Sequence, residues 1–510
     1  MPTNRRQAIT FTVFGAVLGA TGLLLASALL GFGATLPGPA STQQPNAGAA
    51  SASPAAEYVG SLEVAPATGP IGTAATLRGS GFDPGVSLDL VWEAYEGAWL
   101  VDNTASGGEN FKGRTYKPVA VPLGAATTDA EGAFSAEFTV PDGFGFTHNV
   151  QVVQNGTIRN QTAFYVEMEV SISPTSGPVG TPITVDVRGI GVSPLHSSWE
   201  LTYDNKFTGW MSAVTTEGHA TFTVPATGAP GPHVLKILHG SFTFPYLNMQ
   251  QSPDPDRPTF TEVFTVTPGD PVLPPDPADQ WDPVVAGTEP TTDGPTVWTD
   301  PVETIVGDSV MLHGRDLPAG ASLSVGWLTQ VGVDTAIIGG TGEDRPDADW
   351  ELGTATVAAD GTLAWEFTVP ADKGGWHEIT VSDGDTVVTS TEMRVRPMAD
   401  PLGVTQARVG DELVIHLTGV DDTDTGKIRM LVYDNAMLGY SCSVTGQGDI
   451  TIYMPAAGEP GWHFIDLYPG LYKGEDQRAV YNFRIPQLTY ADDHAGETLP
   501  AFRFAFEIVE

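Results

Sequence analysis

Cysteine is almost missing from this chain: one, Cys442, in 510 residues. No intrachain disulfide can form, so each folded part must hold by core packing alone. Cys442 follows Tyr440 on an apolar run and is expected to be a buried, inert thiol. Basic residues are also scarce, 23 against 61 acidic, for a formal charge of −38. Such a chain repels phosphate backbones, which excludes nucleic acid as a partner. Long apolar periodicity of 3.6 residues is missing beyond the N-terminus, which excludes a helical bundle. No Gly-x-Ser-x-Gly elbow, His-Glu-x-x-His, phosphate-cradling loop or Cys/His zinc spacing occurs, and the chain reads as non-enzymatic. Gly307-Asp308-Ser309-Val310 looks like a hydrolase nucleophile block, but the internal repeats align it with ordinary turns at 72–75 and 410–413.

What is abundant is glycine (59), proline (41) and short Val/Thr/Phe-rich runs between turn residues. That is the strand-and-turn pattern of β-sandwiches. One punctuation recurs four times: an apolar strand, a proline, a glycine-bearing loop, then a histidine. It runs from Pro141 to His148, Pro225 to His233, Pro370 to His377 and Pro455 to His463, spacings of 7, 8, 7 and 8. The alternation predicts four modules in A-B-A-B order, a duplicated two-module unit. One histidine per module points to architecture: at the corner of a sandwich it can bond back to the main chain, as a corner tyrosine does.

Modules A1 and A2 carry Leu88-Asp89-Leu90-Val91-Trp92 and Leu323-Ser324-Val325-Gly326-Trp327, each ending in an expected core tryptophan. Modules B1 and B2 instead share Leu201-Thr202-Tyr203-Asp204-Asn205 and Leu431-Val432-Tyr433-Asp434-Asn435, in which Asp-Asn is turn chemistry. The predicted divisions are A1 at 58–168, B1 at 169–267, A2 at 291–397 and B2 at 398–510. The Pro/Asp-rich stretch 268–290 reads as a semi-extended spacer between the two halves.

Gly69-Pro70-Ile71-Gly72-Thr73 through Gly79-Ser80-Gly81-Phe82, its counterpart from Gly177, and the late Phe-Thr-Val-Pro segment resemble bacterial immunoglobulin-like modules of the IPT/TIG type. The resemblance implies an all-β chain of four tandem immunoglobulin-like β-sandwich domains and does not specify a function, since such modules serve many surface proteins.

Ahead of the modules, Arg5 and Arg6 precede an uncharged apolar stretch from Ala8 to Leu36. It is expected to form one hydrophobic helix, within a 1–36 signal-anchor or signal peptide, holding the bulk of the chain outside the cell. Cleavage, and hence secretion, is the alternative. Residues 37–57, rich in Ala, Ser and Pro, form a flexible linker.

Two sets of side chains are candidates for binding. Asp421, Asp422 and Asp424, at alternate spacing in an acidic run, could surround Ca²⁺. Long insertions near 102–122, 330–350, 242–260 and 484–500 carry aromatics and an arginine suited to sugar stacking or protein contact. The ligand-contact candidates are Trp99, just ahead of the first insertion, and Phe111, Arg114, Tyr116, Tyr246 and Tyr490 within the insertions. The expected role is a membrane-anchored extracellular stalk or adhesion protein. Its partner would be protein or glycan on the envelope or a neighbouring cell. The alternatives are a carbohydrate- or polymer-binding array and a non-catalytic accessory subunit of an envelope complex.

Overall fold

A computed structural model describes residues 58–510, apart from 104–108, 194–196, 198, 242–243, 249–250, 252–256, 332, 338–339, 345, 422–425, 427, 444–445, 471–484 and 497–498. The apolar N-terminal stretch and the 37–57 linker lie outside the described residues. In module A1, Ala74–Ser80 sits between Ser61–Ala65 and Phe134–Thr139 in a three-stranded sheet. Its alternating pattern sends Ala75 and Leu77 inward. The facing five-stranded sheet runs Thr68–Gly69, Thr157–Val166, Phe146–Gln154, Ser87–Asn103, Glu109–Thr127. The first strand is split between sheets: Ser61–Ala65 pairs antiparallel with Ala74–Ser80, whereas Thr68–Gly69 runs parallel to the last strand.

The same order recurs in the other modules, around Pro182–Arg188, Ser309–Arg315 and Glu412–Thr418 as central strands of the smaller sheets, with a sixth short strand, Phe244–Pro245, added to the larger sheet of B1. The chain is therefore all-β, a tandem of four β-sandwiches. Each core is plugged from the third strand: Trp92 and Trp327 in the A modules, Tyr203 and Tyr433 in the B modules. The Asp-Asn pairs are two-residue turns with all four residues at positive φ (49° and 62°, 46° and 59°), the type I′ geometry that matches strand twist.

Three expectations are corrected. The 102–122 insertion is no loop. Ser87–Asn103 and Glu109–Thr127 form one long hairpin, bulged at Leu90/Val91 and Leu100/Val101. Alternating side chains let it continue as strand, and it buries Trp99 and Val101 against module B1. The 268–290 stretch is docked, not a free spacer. The Val272 amide donates to Val179 O (2.9 Å), Gln280 bonds both main-chain groups of Arg503, and Trp281 lies under the Arg396 guanidinium at 4.9 Å. Cys442 is exposed, because Ala436–Cys442 is an edge strand whose alternation turns Leu438, Tyr440 and Cys442 to solvent.

Both A-to-B junctions are built alike. Three residues before each A-module histidine, the Gly145 and Gly374 amides donate to Ile190 O (3.0 Å) and Val420 O (3.1 Å) of the next module. A Cβ on Gly145 would lie 1.7 Å from Gly189 O, and one on Gly374 would lie 2.2 Å from Gly419 O. Backbone cannot yield as a side chain does, so Gly374→Ala is expected to cost about 1–3 kcal/mol. It should also change the A2–B2 angle, and small-angle scattering with chemical denaturation checks both. An unchanged profile and unchanged stability would refute this account of the junction.

The B modules meet directly. Asn435, fully buried, donates from Nδ2 to Pro225 O (2.8 Å) and Thr227 Oγ1 (3.1 Å), while its main-chain carbonyl accepts from Thr208 Oγ1 (2.7 Å). The segment following Ile485 adds to the B1 edge strand Lys206–Met211: the Trp210 amide donates to Pro486 O, and the Leu488 amide donates to Trp210 O, both at 2.8 Å. An exposed strand edge is thereby covered.

Candidate functional site

The repeated histidines occupy one geometry four times. Each Nε2 lies within hydrogen-bond distance of the carbonyl four residues upstream: Phe144 for His148, Ala229 for His233, Lys373 for His377 and Glu459 for His463, at 2.8, 2.8, 3.0 and 2.8 Å. Nδ1 reaches across to the third-strand region. In the A modules its partner is a main-chain carbonyl, Glu93 O at 2.8 Å or Leu328 O at 3.1 Å. In the B modules it is the turn carboxylate of Asp204 or Asp434, 2.6 Å away. The other oxygen of each Asp accepts the amide that follows the histidine, Val234 at 2.9 Å and Phe464 at 3.0 Å. Each ring also stacks on its module's core plug, with centroids 4.8 Å from Trp92, 5.6 Å from Tyr203, 4.4 Å from Trp327 and 5.6 Å from Tyr433. The histidines thus stitch the loop after the proline to the middle of the sheet. The A/B difference is which acceptor meets Nδ1.

His463 and His377 titrate in opposite directions. Burial opposes charge on His463, but the Asp434 hydrogen bond, the Glu459 carbonyl and the Asp434 charge outweigh it, and the ring is held above its ordinary 6.5. Its contribution is therefore complete below pH 6.5 and is lost as pH rises through the raised folded value. For His377, burial prevails over Asp372 and the two carbonyls, and the ring falls below 6.5. Its contribution is present above pH 6.5 and is lost as pH falls through the depressed value. Thermal melts from pH 5 to 9 should show His377→Gln flattening the acid limb and His463→Gln the alkaline limb. The reverse assignment would refute this reading.

Trp99 and Arg114 are built into module contacts, while Tyr116, Tyr246 and Tyr490 make contacts within their own modules. Trp99 stacks on Trp210 (6.4 Å, 10°) and donates from Nε1 to Asp493 Oδ1 (2.9 Å). Arg114 donates to Ser197 O (3.1 Å), and Tyr116 meets Phe144 edge-on at 5.3 Å. Tyr246 is half-buried, its amide donating to His239 O (3.1 Å). Tyr490 meets Tyr468 edge-on at 5.9 Å on the wall of a cleft between the B modules. The Phe111 side chain lies outside the described residues. Trp99, Tyr116 and Tyr490 do not form one exposed aromatic platform.

Asp422 and Asp424 lie outside the described residues; Asp421 is buried, with Arg396 and Arg429 as its cationic neighbours. Burial pulls the Arg429 guanidinium down to about 10, with Asp421 opposing. Asp421 therefore serves as countercharge to buried arginine. Among the described residues no three His, Cys, Asp or Glu side chains converge as metal ligands. Chelator is expected to leave the melting temperature unchanged; a fall of about ten degrees would reveal a bound cation stabilising the fold.

The residue that pattern reading missed is Asp493. Its buried carboxylate accepts from Trp99 Nε1 (2.9 Å), the Val214 amide (2.8 Å), the Thr215 amide (2.9 Å) and Thr215 Oγ1 (2.7 Å). One B2 side chain thereby holds A1 and B1 together. Nothing local in Ala491-Asp492-Asp493-His494 announces this.

The sheets define the class of this protein: tandem immunoglobulin-like β-sandwiches. No family model matches the chain, and no curated protein is detectably similar to it. Among solved structures it is similar to a tetra-tandem repeat from the extending region of a large adhesion protein, at 13% identity over 88% of this chain and 100% of that one, TM-score 0.18. It is also similar to the Yersinia pseudotuberculosis adhesin InvE, at 14% identity over 41% and 58% of the two chains, TM-score 0.18. E. coli alpha-2-macroglobulin matches at 11% identity over 87% of this chain, TM-score 0.18, and the chain spans 30% of that protein's length.

Proposed function

We propose that the chain is a non-catalytic scaffold of IPT/TIG-type modules displayed outside the cell. The apolar N-terminal segment holds it to the membrane, and it serves as a stalk or adhesive array toward protein or glycan. The observation that supports this most is how its reactive side chains are used. The four repeated histidines are consumed one per module in the same Nε2-to-carbonyl contact, and Asp493 is consumed in joining modules. The uncharged run from Ala8 to Leu36 supports the anchoring. The test is protease shaving of intact cells producing the chain with a C-terminal epitope. The protein should pellet with membranes and lose the epitope to external protease. Recovery in the cytosol, protected from the protease, would overturn the reading.

A second reading, recognition of a glycan by the array, is favoured by one feature, the cleft between the two B modules.

A further inference from the structure

A cleft of about 440 Å³ opens where B1, B2 and the docked Pro-rich stretch meet. That volume falls within the range of small-ligand pockets and suits one or two sugar rings. Its floor is the strand Gly461–Pro469, which places Asp466 and Tyr468 two residues apart on the same side. Phe222, Tyr490 and Pro275 supply apolar walls, and Arg503 stands beside the floor.

The floor is chemically unfinished. Arg503 Nε is bonded to Asp466 Oδ1, but Asp466 Oδ2 has no hydrogen-bond partner although the side chain is only 3% exposed. The neighbouring Tyr468 hydroxyl is likewise buried, and although Arg503 stands beside its oxygen, no acceptor takes its proton. Burial raises the Tyr468 phenol, and Asp466 adds to this, so the hydroxyl stays protonated and available as a donor. Unsatisfied buried polar groups cost on the order of 1–3 kcal/mol each, so such a pair calls for an occupant.

The pair also selects the occupant. A carboxylate oxygen only accepts, and a phenol can donate. A group that meets both must donate to Asp466 and accept from Tyr468. An ammonium has no acceptor and a carboxylate anion has no donor, whereas an alcohol has both; a hydrogenphosphate has both but carries negative charge. Asp466 and Asp492 against Arg503 leave the cleft's own charge negative, which further disfavours anions. The aromatic and proline walls offer faces to C–H-rich rings.

We infer that this cleft is a binding site for a neutral polyhydroxylated ligand, a sugar ring, with one hydroxyl bridging Asp466 Oδ2 and Tyr468 Oη and the ring lying against Tyr490 and Phe222. The inference deepens the glycan-recognition reading and is independent of cell-surface display.

The test is calorimetric titration of the full-length protein with glucose, galactose, mannose, N-acetylglucosamine and their disaccharides. Inorganic phosphate and methylamine serve as charged controls. At least one neutral sugar should bind saturably, and neither control should. Tyr468→Phe removes only a hydroxyl whose proton has no acceptor, so its melting temperature should stay near the parent's while sugar affinity falls by about tenfold or more. Tyr490→Ala, at a half-buried wall position, should weaken binding comparably. No saturable sugar binding by the parent protein would mean that the floor is satisfied by water alone and would overturn the inference. So would a Tyr468→Phe variant that binds sugar as the parent does. Protease shaving reads location and these titrations read binding, so either proposal can fail without the other.

Discussion

Asp493→Ala is expected to cost about 3–5 kcal/mol, the range for removing one partner of a buried, hydrogen-bonded charge. The carboxylate takes four hydrogen bonds from A1 and B1, and two come from main-chain amides that no rotamer change can re-aim. Its removal leaves the buried Val214 amide without an acceptor. Asn is no remedy, because one of its two acceptors becomes an NH2 group facing an N–H donor. Urea denaturation of both variants, with hydrogen exchange across 97–116, measures the effect. A loss under about 1 kcal/mol for Asp493→Ala would show that the three-module junction is held by its apolar contacts instead.

Trp327→Ala should cost a similar amount, about 3–5 kcal/mol, through the cavity left by a large core side chain. Trp327 is fully buried, stacks on His377, and donates from Nε1 to Asp372 Oδ2 at 2.7 Å. Asp372 Oδ1 accepts from the Lys373 amide at 2.8 Å and from Gln447 Nε2 of module B2 at 2.7 Å. Trp327→Phe keeps most of the packing but orphans the buried Oδ2, and should cost about 1–3 kcal/mol. The ordering Ala worse than Phe worse than parent is the discriminating result. Equal losses would mean that the indole hydrogen bond, and not volume, holds this core.

Features written in short-range pattern were legible. Strand alternation, the tryptophan plugs and the proline–histidine corners depend on residues within one hairpin or one loop. The corner histidine's acceptor is four residues away, and the Asp-Asn turns carry their backbone demands in their own residue types. What joins the modules was illegible, because its partners are remote in sequence: Trp99 and Asp493 are 394 residues apart. The 102–122 hairpin looked like a loop because its alternation has no meaning until Trp210 is known to face it. Its prolines make the 268–290 stretch read as a spacer, while Trp281, a large ring ill-suited to solvent, is the residue that marks docking. The apolar neighbours of Cys442 suggest burial, while an edge strand exposes every second residue whatever its composition. Of the ligand candidates, Tyr490 lies at the proposed sugar cleft. Its partners there, Asp466 and Tyr468, alternate with core residues and look like ordinary strand positions.

The split first strand has a mechanical corollary. In all four modules a short early segment runs parallel to the final strand: Thr68 beside Tyr165, Ser176 beside Thr265, Glu303 beside Arg394, Gln406 beside Glu507. Tension on a module's two ends would drag these partners in opposite directions along their length. Their hydrogen bonds would then be loaded together in shear, not peeled one by one. Each sandwich therefore carries its own force clamp, and stretched chains should yield in abrupt, module-sized steps.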